Sequence, residues 1–221
     1  VAALPLGVDP ALQTFATQRG DQGIDPTAQS GARLQDTGPV VLCVGTLEGR
    51  KNHLALLDAC EQLWGAGHNF QLRIIGHVNA ETGGRALARL RERERAGRNL
   101  RYDGLATDDT IAHAYATCSF TVYPSIAEGF GLPVIESLAR GKPCICSAHG
   151  ALCEAALPGG CVTLERADAT SLADAIDQLL QNPAEQTRLA TDARNRSFRT
   201  WDRYANDLLA CLGSEQASNR I

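Results

Sequence analysis

Short apolar runs alternate with longer amphipathic stretches through most of the chain. Runs of four to seven mainly apolar residues, bounded by glycine, proline or polar residues, are typical of strands covered on both faces of a parallel sheet. Six runs fit this description, at 40–44, 70–76, 99–103, 119–123, 143–147 and 161–164. The stretches between and after them have helical spacing and predict helices at 51–64, 81–96, 108–117, 134–140, 171–180, 183–196 and 201–212.

The alternation of strand and helix predicts an α/β fold. Strands joined by helices pair in parallel, with the helices on both faces of the sheet. We therefore expect a Rossmann-like, doubly wound parallel sheet of about six strands. Its packed domain should cover residues 39–200, preceded by a short strand and turn at 1–10 and a polar loop or linker at 11–38, and followed by a C-terminal helix in 201–221.

Composition excludes some partners. The 221 residues are 44% hydrophobic and carry a net charge of −4, which gives no reason to expect nucleic acid as a partner. Arginines in 81–96 alternate with glutamates, as on a solvated helix face. No apolar run approaches the roughly 20 residues of a membrane-spanning helix. The chain begins at Val1 and lacks methionine, so we expect a fragment of a longer protein.

Eight cysteines occur, most of them within apolar runs. Buried cysteine packs as a small hydrophobe, and reduced thiols are typical of cytoplasmic proteins. We therefore interpret them as core thiols of a cytoplasmic protein. Cys144 and Cys146 are expected to point to opposite faces of their strand and not to form a metal site.

The most informative stretch is 124–136, which follows the fourth strand and leads into a helix. Two carboxylates, Glu128 and Glu136, enclose a glycine-containing turn. A strand that turns into a helix presents free backbone N–H groups, which favour an anion. The amides expected to face a ligand belong to Gly129, Phe130, Gly131 and Leu132.

A second group follows the first strand. Gly45 and Thr46 lead into Arg50 and Lys51, which could neutralise a diphosphate without a metal ion. A solvated basic pair is the alternative, although positive charge at a helix start opposes the helix dipole. Gly76 ends the second strand, so all these residues should meet at the carboxyl edge of the sheet.

Taken together, these motifs resemble the C-terminal half of a GT-B glycosyltransferase of glycosyltransferase family 4. The most specific is the pair of glutamates eight positions apart with Gly-Phe-Gly-Leu-Pro between them. The resemblance covers nearly the whole chain and rests on 4–9, 44–52, 74–76, 123–136, 141–143 and Trp201.

The resemblance implies transfer of a hexose from a nucleotide-diphosphate sugar with retention at the anomeric carbon. It implies that Glu136 binds ribose, Glu128 lies near the donor sugar and Lys51 binds diphosphate. Many members have arginine where this chain has Thr46, and Arg50 is expected to take that role. The likeness to mannosyltransferases favours GDP-mannose as donor, with a UDP-hexose as the alternative. No cofactor or metal is expected at this site.

The family also has an N-terminal domain that binds the acceptor. Residues 1–10 resemble its end, and the C-terminal helix is expected to pack toward it. We therefore expect this polypeptide alone to bind donor without turnover. The whole enzyme would modify a glycan or lipid-linked acceptor in surface polysaccharide synthesis, and contact with the inner face of the membrane would come through the missing domain.

Two other functions fit the same fold class. A Rossmann-type dinucleotide oxidoreductase is disfavoured, because no Gly-x-Gly-x-x-Gly follows the first strand. A non-catalytic nucleotide-sugar-binding module would keep the same residues, since fold alone does not decide function.

Overall fold

Six parallel strands form one sheet in the computed structural model, which describes residues 38–218. The strand order is β3-β2-β1-β4-β5-β6. The strands are β1 Val40–Val44, β2 Gln71–Ile75, β3 Leu100–Tyr102, β4 Phe120–Tyr123, β5 Cys144–Ser147 and β6 Cys161–Leu164. All six lie within the runs predicted from sequence, and the prediction of a Rossmann-like parallel sheet is confirmed.

Eight α-helices accompany the sheet within the described residues. They are α1 His53–Gly65, α2 Gly84–Arg95, α3 Asp108–Thr117, α4 Leu132–Ala139, α5 Gly150–Ala156, α6 Ala169–Gln181, α7 Pro183–Arg194 and α8 Trp201–Ser218. A short 3-10 turn, Gly49–Lys51, precedes α1. Helix α5 was not predicted, because its seven residues are too few to show a helical period. The predicted segment 1–10 and nearly all of 11–38 lie outside the described residues.

Alternate residues of β1 pack against different helical layers. Val41 and Cys43 belong to the large core cluster that includes residues of α1 and α6. Leu42 belongs to a smaller cluster with Ala114 and Tyr115 of α3. Side chains of a strand alternate between the two faces of a sheet, so an unbroken apolar run is what a sheet covered on both sides requires.

The strand order reverses between β1 and β4, which are direct neighbours in the sheet. Chain connections from these two strands run to opposite sides, so a crevice opens at their carboxyl ends. Ligands of open α/β sheets bind in this crevice. The loop after β1 and the loop after β4 carry the two groups selected from sequence.

The prediction that Cys144 and Cys146 point to opposite faces of β5 was wrong. Side chains two residues apart lie on the same face of a strand, because the period of a strand is two. Cys144 and Cys146 therefore share a face, and Cys161 of β6 pairs in register with Cys144. The three sulfur atoms lie within 4.8 Å of one another.

No helix among residues 38–218 is both long enough and apolar enough to cross a membrane. Helix α8 has exposed apolar side chains, among them Trp201, Leu209 and Leu212.

Candidate functional site

Two glycines bring the ends of β1 and β2 into close contact. The Gly45 amide donates to the Ile75 carbonyl at 2.8 Å, and the Gly76 amide donates to the Gly104 carbonyl at 2.9 Å. The Tyr102 hydroxyl donates to the Gly76 carbonyl at 2.8 Å. A Cβ at Gly76 would lie 1.9 Å from the Gly45 carbonyl oxygen, so only glycine fits there. The two loops therefore lie side by side at the edge of the sheet.

Thr46 lies beside the loop after β2. Its hydroxyl is 3.4 Å from Nδ1 of His77, and both groups are exposed. The next residue, Leu47, is fully buried and donates its amide to the His77 carbonyl at 2.8 Å. Buried Leu47 thus anchors the loop and leaves Thr46 at its surface.

The basic pair and the first acid of the 124–136 stretch meet directly. Arg50 Nη1 donates to Oε2 of Glu128 at 2.7 Å, and Lys51 Nζ donates to Oε1 of the same carboxylate. Arg50 also pairs through Nη2 with Glu48 at 2.7 Å. The Glu128 and Lys51 side chains are 7% and 11% exposed, whereas Arg50 is 48% exposed. Arg50 is therefore the more accessible cation.

Hydrogen bonds to backbone carbonyls hold the loop after β4 in place. The Ile126 amide donates to the Arg50 carbonyl at 2.8 Å. Arg50 Nη1 also donates to the Ala127 carbonyl at 3.0 Å. The Ser147 hydroxyl, at the end of β5, donates to the Ser125 carbonyl at 2.8 Å. These contacts place the loop after β4 against the 3-10 turn independently of any ligand.

The carboxyl group of Glu128 is ionised in this arrangement. Burial by itself would raise its pKa, but hydrogen bonds from Lys51 and Arg50 outweigh burial and lower the pKa below the usual value. The hydrogen bond to Glu128 likewise raises the pKa of Arg50. Glu128 and Glu48 together balance the two positive charges, so the four groups are close to neutral as a set. Arg50 is the exposed cation that an anion can reach.

The glycine-containing turn ends at the start of α4. Gly131 has a φ of +74° and is the N-cap residue of α4. A Cβ there would approach the Ala151 carbonyl oxygen of α5 to 3.3 Å. Phe130 is half-buried and Gly129 is exposed. Because Pro133 has no N–H, the amides available at this helix start are those of Leu132 and the turn before it.

Glu136 lies one turn into α4 and has different partners from Glu128. Its carboxylate lies near Tyr115 of α3 and Arg140, and both favour its ionised form. The Tyr115 hydroxyl lies 3.5 Å from that of Tyr123, whose hydroxyl donates to the Val44 carbonyl at 2.5 Å. Both tyrosines are buried. This chain of polar groups runs from α4 to the end of β1.

Burial raises the pKa of Glu136, because its attraction to Arg140 and its hydrogen bond with Tyr115 compensate only in part. A carboxyl group whose pKa is raised by burial is typical of a binding site. The two acids therefore have different surroundings in the structure. Glu128 is already paired with two cations, whereas the carboxylate of Glu136 still gains by accepting hydroxyl hydrogen bonds.

Glu136→Gln should raise the stability of the fold and weaken donor binding. A raised folded-state pKa means that ionised Glu136 destabilises the fold above that pKa, and that the cost disappears as pH falls below the unfolded-state value. We expect the variant to melt higher than the unsubstituted chain at pH 8, with the difference vanishing near pH 4. Donor affinity should fall ten- to a hundredfold, as for a lost hydrogen bond to a charged group.

Thermal melts at both pH values, with donor titrations by calorimetry, test this expectation. Arg140 and Tyr115 stay in place in the Gln variant, so unchanged donor affinity would contradict a ribose-binding role for Glu136. Glu154→Gln on α5 is a matched control, because its exposed carboxylate belongs to neither loop.

Several residues of the site were not predicted from sequence. Tyr102 and Tyr123 donate their hydroxyls to the carbonyls of Gly76 and Val44, and Tyr115 lies beside Tyr123. The sequence did contain a signal for these tyrosines, because a tyrosine within a buried apolar run needs a hydrogen-bond partner for its hydroxyl. Asn52 adopts a left-handed conformation at φ 57° before α1, and its side-chain amide donates to the Ala167 carbonyl at 2.7 Å.

Several solved structures have the same fold. Sucrose-phosphate synthase from Thermosynechococcus elongatus matches with a TM-score of 0.77 and 25% identity over 98% of this chain and 53% of its own. The complex of Anabaena HepE with UDP and glucose matches with a TM-score of 0.68 and 19% identity, covering 80% and 49% of the two chains, and this likeness shows the fold alone. The fold and the site at its switch point define a Rossmann-like half-domain of the GT-B type.

The family follows from the sequence comparison. Residues 26–196 match the family described as glycosyl transferases group 1, and the chain belongs to this family. The family resemblance predicted from the motifs is confirmed.

Curated relatives include mannosyltransferases. A GDP-mannose-dependent alpha-(1-6)-phosphatidylinositol dimannoside mannosyltransferase of Mycobacterium tuberculosis is 30% identical over 220 residues, which are 98% of this chain and 53% of that protein. The serotype-specific mannosyltransferase WbdA of Escherichia coli is 31% identical over 123 residues, 56% of this chain and 15% of WbdA. The chain thus spans about half the length of the first relative and a smaller part of the second.

Proposed function

We propose that this chain is the donor-binding domain of a retaining glycosyltransferase that moves mannose from GDP-mannose to a glycan or lipid-linked acceptor in surface polysaccharide synthesis. The observation that carries the proposal is the meeting of Arg50, Lys51 and Glu128 at the switch point of the sheet. This meeting would preform a site with an accessible cation, Arg50, at the position where ligands of open α/β sheets bind.

The diphosphate would occupy the space in front of the two cations. Departure of a nucleoside diphosphate leaves negative charge on phosphate oxygens, and fixed positive groups stabilise that charge. Arg50, half exposed, can bind two oxygens through its fork, and Lys51 contributes a point charge held by Glu128. Amides of Gly129, Phe130, Gly131 and Leu132 would add hydrogen bonds at the start of α4.

The remaining parts of the donor are assigned from the positions of the two acids. Glu136 would accept hydrogen bonds from the ribose hydroxyls, and Gly45, Thr46 and Gly76 would let the nucleotide approach the ends of β1 and β2. Glu128, beside the diphosphate-binding cations, would face the donor sugar. In this scheme Arg50 stands in for the arginine that Thr46 replaces.

Names of the relatives support the choice of donor. Two are mannosyltransferases, and one is named as dependent on GDP-mannose. A structural neighbour was solved with UDP and glucose. We therefore propose GDP-mannose as the donor and a UDP-hexose as the next candidate.

The exposed apolar side of α8 would serve the other half of the enzyme. Trp201, Leu209 and Leu212 are 45%, 67% and 54% exposed, which is costly in water unless another surface covers them. We propose that this side packs toward the acceptor-binding domain.

A thermal-shift panel tests the donor assignment. We expect GDP-mannose to raise the melting temperature most, because a ligand at a hundredfold excess over its Kd stabilises the folded state by about 2.7 kcal/mol. UDP-glucose and ADP-glucose should shift it less, and GMP with free mannose should shift it little, since neither carries a diphosphate. A larger shift with UDP-glucose would reverse the order of the two donors. No shift with any diphosphate would contradict the proposed site.

A further inference from the structure

Three thiols outside the donor site form a compact group. Cys144 and Cys146 project from the same face of β5, and Cys161 lies beside Cys144 on β6. Their three Sγ atoms lie within 4.8 Å of one another. The parallel register of two neighbouring strands produces this arrangement.

The surroundings of the thiols are apolar on one side and charged on the other. They share a core cluster with small and aliphatic residues of α4, α5 and α7, among them Leu138, Ala155 and Ala193. Arg196 lies near Cys161 and interacts with it electrostatically. Its guanidinium is fixed by donation to the carbonyls of Ala155 at 2.8 Å and Gly159 at 3.2 Å.

The spacing of the sulfur atoms matches a metal centre. Metal–sulfur bonds of about 2.3 Å place sulfur ligands about 3.8 to 4.0 Å apart, so shifts of well under 1 Å would close the group around an ion. Thiolates select soft cations such as zinc and copper(I) over magnesium or calcium. We propose that Cys144, Cys146 and Cys161 bind one thiophilic d10 metal ion, with zinc as the natural occupant.

Charge favours a divalent ion over a monovalent one. Binding breaks three S–H bonds and forms three metal–sulfur bonds, and the protons go to solvent. Three thiolates with a divalent ion leave one negative charge, which a single guanidinium at Arg196 can balance. A monovalent ion would leave two negative charges. Cys161 is only partly buried, so the fourth zinc position can open on that side toward water.

The proposed metal site would also affect the loop after β4. Ser147 directly follows Cys146, and its hydroxyl holds the Ser125 carbonyl at 2.8 Å. A metal that joins β5 to β6 would therefore stiffen the strand on which the 124–131 loop rests. No oxidant or reductant is needed, because the oxidation states of the metal ion and of sulfur do not change. The thiols only lose their protons.

The experiment uses reduced, metal-free protein and titrates Cd²⁺, which reports thiolate ligation through its ultraviolet charge-transfer absorption. We expect saturation at one equivalent, displacement of Cd²⁺ by Zn²⁺, release of protons and a rise in melting temperature. Cys161→Ala should weaken binding at least a hundredfold. Because Cys161 lies at the rim, this variant should stay folded, as its circular dichroism and melt will show.

The matched control is Cys153→Ser/Cys211→Ser, which removes the half-buried thiol of α5 and the exposed thiol of α8. It should bind like the unsubstituted chain. Cys146→Ala is a second variant and should also lose the site. If copper(I) binds in place of zinc at the same one equivalent, the thiolate site stands and the charge argument for zinc fails. Absence of one-equivalent binding, loss of binding only in the control, or isolation of a Cys144–Cys161 disulfide that resists reduction would overturn the proposal.

Discussion

Gly76→Ala should unfold the domain or destabilise it by more than about 4 kcal/mol, the range reached when a substitution forces backbone apart. The added methyl group would lie 1.9 Å from the Gly45 carbonyl oxygen and 2.5 Å from its carbon. Both are backbone atoms, so no side chain can rotate away. Relief requires separation of the loops after β1 and β2, and with it loss of the Gly45–Ile75 hydrogen bond.

Gly45→Ala is the matched control. Gly45 has a φ of +156°, almost equal to the +155° of Gly76, but a Cβ there meets nothing within 4 Å. Because the two φ values are nearly equal, the main difference between the two variants is the clash. Urea denaturation of both should show a smaller loss for Gly45→Ala, about 1 to 3 kcal/mol, which is the cost of a strained backbone conformation. Equal losses would mean that strain, and not the close approach of the loops, demands glycine at both positions.

Lys51→Met should lower both stability and donor affinity. Removal of one partner of a buried ion pair costs about 3 to 5 kcal/mol, and the lower end applies because Arg50 still holds Glu128. Affinity for the nucleotide diphosphate should fall ten- to a hundredfold with the lost charge-assisted hydrogen bond. Urea melts and calorimetric titration with GDP measure the two effects.

A double variant separates the two effects. In Lys51→Met/Glu128→Gln the buried acid is gone together with its partner, so stability should recover in large part. Donor affinity should not recover, because the cation is still missing. Recovery of both would show that Lys51 acts on the ligand only by holding the loop through Glu128.

Lys142→Met is the control, since Lys51 and Lys142 are the two lysines of the chain. Lys142 Nζ donates to the carbonyls of Ala116 and Cys118 at 3.1 and 2.7 Å, away from the donor loops. It should lose stability but keep donor affinity. A fall in donor affinity equal to that of Lys51→Met would show that the loss follows from general destabilisation.

The ion pair of Lys51 with Glu128 also makes the stability of the fold depend on pH in the acid range. The folded-state pKa of Glu128 lies below its unfolded value, so the stabilisation is present above the unfolded value and is lost as pH falls through the folded one. Lys51→Met should reduce this acid-side dependence.

The sequence by itself determined the six strands in their order along the chain, every described α-helix except α5, and the class of the fold. Apolar runs and helical periods are local properties, and the six strands follow from them directly. It also determined the glycine-containing turn between Glu128 and Glu136 and the basic pair at Arg50 and Lys51, because these motifs are contiguous in the chain. Family membership could be predicted from the same stretches.

The tertiary structure decided which of these residues meet. The order of strands brings the loops after β1 and β4 together, and only then does one carboxylate, Glu128, hold two cations from 77 and 78 positions away. The need for glycine at position 76 comes from a backbone atom of another loop. The three-cysteine group depends on the register of β5 with β6. Such contacts join residues distant in sequence, and no local periodicity records them.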